Sequence, residues 1–261
     1  MIDKILNWIK QSKNDGNDLM IGMIKKRNFY HSYRFIVYII FCFLLPSAAL
    51  CAGNQVPYKN VAKKPLPPTL YHAVKPIIIL DAGHGGYDEG SKVQSLLEKR
   101  MTLNTTLLTR KYLDEMGYRV ILTRSRDVYI SLPQRVSVAN RNKAALFVSI
   151  HYNAARNEEA KGIEVFYCDK AAAERVRASH RLANSILYHL LDETAAKSRG
   201  VKRGNHHVTR ETEMPAALVE AGFITNNEER ELLKSREYQD RIAKGIAQGI
   251  DKYLKSVPGA S

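Results

Sequence analysis

From Ile77 onward, short apolar runs alternate with longer segments in which apolar residues recur every three or four positions. Ile77–Leu80, Tyr118–Thr123, 145–150, Gly162–Cys168 and Ala216–Glu220 read as strands. Between them, Glu98–Met116 carries Leu108, Tyr112 and Met116 at a spacing of four and meets Gly117, which predicts a helix and its stop. Ser131 and Gln134 predict a capping box for a helix running to about Arg141, and Thr225 with Glu228 a second box. Ala171–Leu191 reads as a long helix, and Ile242, Ile246 and Ile250 stripe the last one. Lys197–Glu213 breaks the pattern. It is basic and polar, with no apolar stripe, and predicts a connection unable to plug a cleft. Strands alternating with helices predict an α/β fold: a single three-layer domain over 77–255, with a mixed, mostly parallel sheet and helices on both faces. About 178 residues suffice for one core. Residues 256–261 are left as a tail.

The chain before Ile77 follows a different pattern. Phe35–Leu45 is an uninterrupted apolar run of 11 residues, short for a bilayer span but suited to the core of a signal peptide. Lys25, Lys26, Arg27 and Arg34 flank it, and both Ser47-Ala48-Ala49 and Cys51-Ala52-Gly53 fit a small-x-small cleavage site. Residues 1–53 therefore predict a targeting segment removed on export, the alternative being an uncleaved anchor. A start at Met20 or Met23 makes this a more ordinary signal peptide. Leu50 is bulky for the residue before a lipidated cysteine and disfavours lipidation of Cys51. Residues 54–76 hold five prolines and little apolar periodicity, which predicts a linker.

Charge and cysteine narrow the setting. The formal net charge is +14, of which seven Lys/Arg against three Asp/Glu in 1–53 account for +4, leaving +10 for the rest. A basic exported protein favours an anionic polymer. The charges are scattered and no nucleic-acid motif is present, which argues against a nucleic-acid partner. Of three cysteines, Cys42 and Cys51 fall in the targeting segment. Cys168 alone has no partner for an internal disulfide.

Two histidines stand at strand ends. His84 follows Ile77–Leu80 within a glycine-rich turn, IIILDAGHGG, and His151 follows 146–150 in LFVSIHYNA. Glu98 opens a helix, and Glu220 closes a strand in MPAALVEAGFITNNEE. Two imidazoles and a carboxylate are enough for a catalytic zinc site with an open fourth position. A further carboxylate nearby can serve as general base, which points to a hydrolase. Each residue also has a plainer explanation. Glu98 suits a helix N-terminus without any metal, and Glu220 suits a buried ion pair. Asp81 predicts either a hold on a ligating imidazole or a cap on the glycine turn. Asn153 predicts substrate orientation or local backbone bonding. His206 and His207 read as exposed, Arg135 as one half of a structural salt bridge, and Glu228, Glu229 and Glu231 as acids placed by a helix dipole.

Taken together and in order, the GHGG turn, Glu98, SIHYNA and VEAGFITNNEE resemble the zinc-dependent N-acetylmuramoyl-L-alanine amidases of bacterial cell walls, over roughly 76–254. The resemblance implies one Zn²⁺ held by His84, Glu98 and His151, with Glu220 as the catalytic glutamate. It implies cleavage of the amide between the lactyl group of N-acetylmuramic acid and L-alanine of the stem peptide. Peptidoglycan is then the principal partner, beside an envelope protein that recruits or activates the enzyme. The protein is expected in the cell envelope, in the periplasm, meeting the membrane only through its targeting segment. Two rivals remain: a zinc peptidase cutting within the stem peptide, and an inactive murein-binding module. The chain has no Ser-x-x-Lys sequence, which disfavours a serine-type wall hydrolase.

Overall fold

The computed structural model describes residues 75–257. The targeting segment, all but the end of the linker and the last four residues lie outside that range. Eight strands and six helices follow in order: β1 (Ile77–Ala82), β2 (Lys92–Val93), β3 (Leu96–Leu97), α1 (Glu98–Glu115), β4 (Arg119–Leu122), α2 (Leu132–Arg141), β5 (Leu146–Asn153), β6 (Ile163–Tyr167), α3 (Ala173–Thr194), β7 (Ser198–Arg203), α4 (His207–Glu211), β8 (Ala216–Phe223), α5 (Asn227–Lys234) and α6 (Arg236–Ser256).

Six of these strands form one sheet in the order β4-β1-β5-β8-β6-β7, and β2 with β3 makes a small ribbon. Every neighbouring pair in the large sheet is parallel except β6 with β8. The exception has a geometric cause. Only nine residues, 154–162, join β5 to β6, and a parallel return takes a crossover of a dozen or more. β6 therefore runs back against the central strands.

Period-two alternation sends the strand side chains to two cores. On one face Ile78, Leu80, Val148, Ile150, Val165 and Val219 pack with Met101 and Leu113 of α1, Ile186 and Leu190 of α3, and the predicted Ile242–Ile246–Ile250 stripe of α6. On the other, Ile79, Phe147 and Leu218 meet Val136 and Ala139 of α2 and Val208 beside α4's start. Three long helices cover the first face and two short ones the second. The shallower cover leaves room for a cleft on the second face.

The structure departs from expectation at several elements. β5 and β8 each run three residues past the predicted ends. The capping box at Ser131 and Gln134 forms as predicted, but α5 is capped by Asn226, which accepts from the Glu229 amide at 3.1 Å. Lys197–Glu213 is not an open connection: it folds into edge strand β7 and helix α4. Its polar sequence suits a sheet edge, where one side faces water, so periodicity hid it.

Candidate metal centre and active site

His84, Glu98 and His151 converge at the carboxyl ends of β1 and β5. One donor atom from each lies within 4.8 Å of the others. His84 Nε2 and His151 Nδ1 each stand 3.0 Å from Glu98 Oε1, and the two rings meet edge to face with centroids 4.9 Å apart. Glu98 is the first residue of α1. Its carboxylate also accepts from the amides of Ser91 at 2.8 Å and Tyr152 at 3.2 Å.

The local backbone is built around these rings. His84 itself has φ of 58°, an uncommon conformation for a side chain-bearing residue. Three carbonyls of its turn are tied down from outside. Arg124 donates to the carbonyls of Ala82 and Gly83, Thr102 to that of Gly83, and Arg135 to those of Ala82 and His84. Two glycines keep space open. A Cβ at Gly83 would sit 2.2 Å from the His151 ring, and one at Gly90 2.7 Å from both the Glu98 carboxylate and the His84 ring.

Among the other predicted residues, Asp81 needs correction. It neither holds an imidazole nor caps the turn. It is buried, pairs with Arg135 at 2.7 Å, and accepts from Thr123 at 2.6 Å and Ser149 at 2.7 Å. The reason is strand parity: Asp81 and Ser149 are register partners and share a face. The imidazole hold falls to Asp88, whose carboxylate meets His84 Nδ1 at 2.9 Å and leaves Nε2 facing Glu98. Asp88 and Arg124 escaped sequence reading; the four-residue offset from His84 was the available signal for Asp88. Arg135 does form the expected salt bridge, and its second role is to hold the His84 carbonyl. Asn153 donates to Glu164 at 2.7 Å. Glu164 is also the acceptor for Arg199 at 2.8 Å and for Lys202. Glu229 does more than meet a helix dipole: its carboxylate accepts from the amides of Phe223 at 2.6 Å and Gly162 at 2.8 Å.

Glu220 pairs in register with His151 across β5 and β8. Its Oε2 is buried and has no hydrogen-bond partner. Burial raises its pKa well above the ordinary carboxylate value, and the negative charges of Glu98 and Glu164 push the same way. Glu98 behaves oppositely. Burial alone would raise it, but the hydrogen bonds and charges of His151 and His84 outweigh burial and hold it well below the usual range. Two nearby carboxyls with opposed environments are a common mark of divided chemical roles.

A cleft of about 190 Å³ opens beside these groups, on the α2 and α4 face, lined by His84, His151, Tyr129, Arg135, His206 and Val208 among others. His206 is thus not an exposed loop residue. Its ring packs edge-on to Phe166 with centroids 5.1 Å apart. Gly204 leaves it room, since a Cβ there would lie 2.6 Å from the imidazole. Burial, then the neighbouring His151, lowers its pKa.

The donor set fits zinc: two imidazole nitrogens and a carboxylate oxygen, with a second carboxylate oxygen buried and unpartnered beside them. An α/β sheet carrying such a cluster at its strand ends fits the class of metal-using hydrolases. The family model for N-acetylmuramoyl-L-alanine amidases, Amidase_3, matches residues 78–252. The chain belongs to that family, and its activity is amidase hydrolysis of peptidoglycan. The chain is 35% identical over 192 residues to a germination-specific N-acetylmuramoyl-L-alanine amidase of Bacillus subtilis, covering 68% of this chain and 79% of that one. It also resembles the solved catalytic domain of CwlV, an amidase from Bacillus (Paenibacillus) polymyxa var. colistinus. That match has 37% identity and a TM-score of 0.65, over 70% of this chain and 99% of that one. A third similar structure is the CwlD amidase of Clostridioides difficile in complex with the GerS lipoprotein. Identity there is 32% and the TM-score 0.66, over 70% of this chain and all of that one.

Proposed function

We propose that His84, Glu98 and His151 hold a single zinc ion and that Glu220 is the proton-transfer residue of the amidase. The observation that carries this reading is the register pairing of Glu220 with His151, with a buried and unpartnered carboxylate oxygen beside the donor cluster. Zinc, when bound, supplies Lewis-acid polarisation of the scissile carbonyl. Glu220 takes a proton from the attacking water as its oxygen bonds to the carbonyl carbon. The carbon–nitrogen bond then breaks, and Glu220 passes the proton to the departing amine of L-alanine. A carboxylate whose pKa is raised by burial is a stronger base for the first of these transfers. Arg135, Arg124 and Asp88 hold the ligand-bearing turn in place throughout.

Digestion of purified murein by the chain lacking residues 1–53 tests this. Whole stem peptides should be released without any added activator, and a chelator should abolish the release. Fragments cut within the stem would sink the amidase assignment in favour of a peptidase. Residues 54–76 serve as linker and 77–255 as catalytic domain in this reading, and the leader directs export to the periplasm. Mass spectrometry of the protein from its native envelope should find no residue before about 54 at its N-terminus. The CwlD structure has a lipoprotein partner; by analogy, an envelope protein recruits this chain to its site of action.

A further inference from the structure

Two tyrosines stand exposed at the rim of the cleft. Tyr87 is 79% exposed and Tyr129 41%, yet their rings stack with centroids 4.2 Å apart and planes 25° from parallel. They come from different loops, which are fastened together. Asp127 accepts from the Gly86 amide at 2.7 Å and pairs with Lys99 at 2.9 Å, and Lys99 also donates to the Gly86 carbonyl at 2.6 Å. Gly86 has φ of 62°, and a Cβ there would lie 2.6 Å from the Tyr129 amide. The two aromatic faces are therefore presented in a fixed arrangement before anything binds. Tyr129 lines the same cleft as His84 and His151, so the aromatic surface is continuous with the site.

The opposite end of the strand edge differs in character. Following the sheet order past β8, Glu164 on β6 gathers Arg199 and Lys202 from β7. Both cations reach Glu164, whose register partner on β8 is Glu220. Along the sheet order, the tyrosines thus lie to one side of His84 and His151 and the Arg199–Lys202 pair lies to the other.

The substrate has the same two-part character about its scissile amide. On one side is a pyranose ring, which offers a face of C–H groups to the negative face of an aromatic ring. On the other is a peptide bearing carboxylates. We propose that the Tyr87–Tyr129 pair is a sugar subsite that stacks on the glycan, and that the stem peptide runs toward Arg199 and Lys202. The proposal rests on the amidase reading and assigns the orientation of its substrate.

Calorimetric titration of the zinc-loaded full chain tests it, with stem-free glycan strands and glycan-free stem peptide as separate ligands. Tyr87→Ala should weaken glycan binding about three- to tenfold and leave peptide binding unchanged, and Tyr87→Trp should restore glycan affinity. Tyr87 is largely exposed, so the substitution leaves the core intact. Unaltered glycan affinity, an equal loss for both ligands, or no glycan binding by the unsubstituted chain would each overturn the subsite. If the unsubstituted chain still frees whole stem peptides from murein, only the subsite falls. If it frees none, the amidase reading falls instead.

Discussion

Glu98 and His84 are held by neighbours that do no chemistry. His84 shows this most fully: its backbone sits at φ of 58°, its carbonyl is held by Arg135 and its Nδ1 by Asp88. Partners of this kind orient a metal ligand, and losing one typically weakens metal binding 10- to 100-fold. Asp88→Ala is therefore expected to raise the zinc dissociation constant by about that factor. Competition with a chelating dye checks it, and an unchanged constant would rule out the positioning role. Glu220→Gln keeps the shape of the side chain but removes its proton chemistry. It should retain stoichiometric zinc and lose roughly 10²–10⁴-fold in turnover. His84→Ala and His151→Ala should lose zinc and activity together, as metal analysis beside a murein assay would show. His84, Glu98, His151 and Glu220 could be singled out in sequence because each stands in a short motif beside a recognisable apolar run. Asp88, Arg124 and His206 were not, because their roles depend on what lies across a turn or strand.

At the scale of elements, close backbone approach decides the helix layer. α6 meets α3 through Gly245 and Gly249. A Cβ at Gly249 would lie 2.5 Å from Ile186 Cα, nearer than real contacts allow. Replacing a mid-helix glycine by alanine gains about 0.8–1 kcal/mol in helix propensity. Forcing packed backbones apart costs about 1–3 kcal/mol, and rigid helix backbone puts this case at the upper end. Gly249→Ala should therefore destabilise the domain by roughly 1–2 kcal/mol despite the better propensity. Urea denaturation measures this, and a rise in midpoint would show that the helices can separate freely. Helix α6 was legible from its isoleucine stripe, and α2 from its capping box. β7 and α4 were not, because an edge strand and a five-residue helix carry too few apolar positions to set a period.

For the molecule as a whole, the buried Asp81–Arg135 pair joins the sheet to α2 beneath the cleft. Burial disfavours the Asp81 charge, but the Arg135 guanidinium, Thr123 and Ser149 outweigh it and lower the pKa below 3.8. The unfolded chain, with its carboxyl near 3.8, binds this proton more readily than the folded one. This contribution to stability is thus fully present above about pH 4 and is lost as pH falls toward the lower folded value. Asp81→Asn strands a buried guanidinium and should cost about 3–5 kcal/mol at neutral pH. Stability curves of the two proteins should draw together below about pH 4. Parallel curves across that range would place the stabilising charge elsewhere.

The sequence by itself determined the alternation of strands and helices and marked out His84, Glu98, His151 and Glu220 as candidates for the centre. Those features are written in local periodicity and in short motifs that neighbouring residues complete. The antiparallel placement of β6, the pairing of His151 with Glu220, and the exchange of roles between Asp81 and Asp88 were decided only by tertiary structure. So was the placing of Tyr87 and Tyr129 beside the His84 turn. The physical reason is that strand order and register bring together residues far apart in the chain. Which of several nearby carboxylates an imidazole or guanidinium takes then depends on which face of the sheet each side chain occupies.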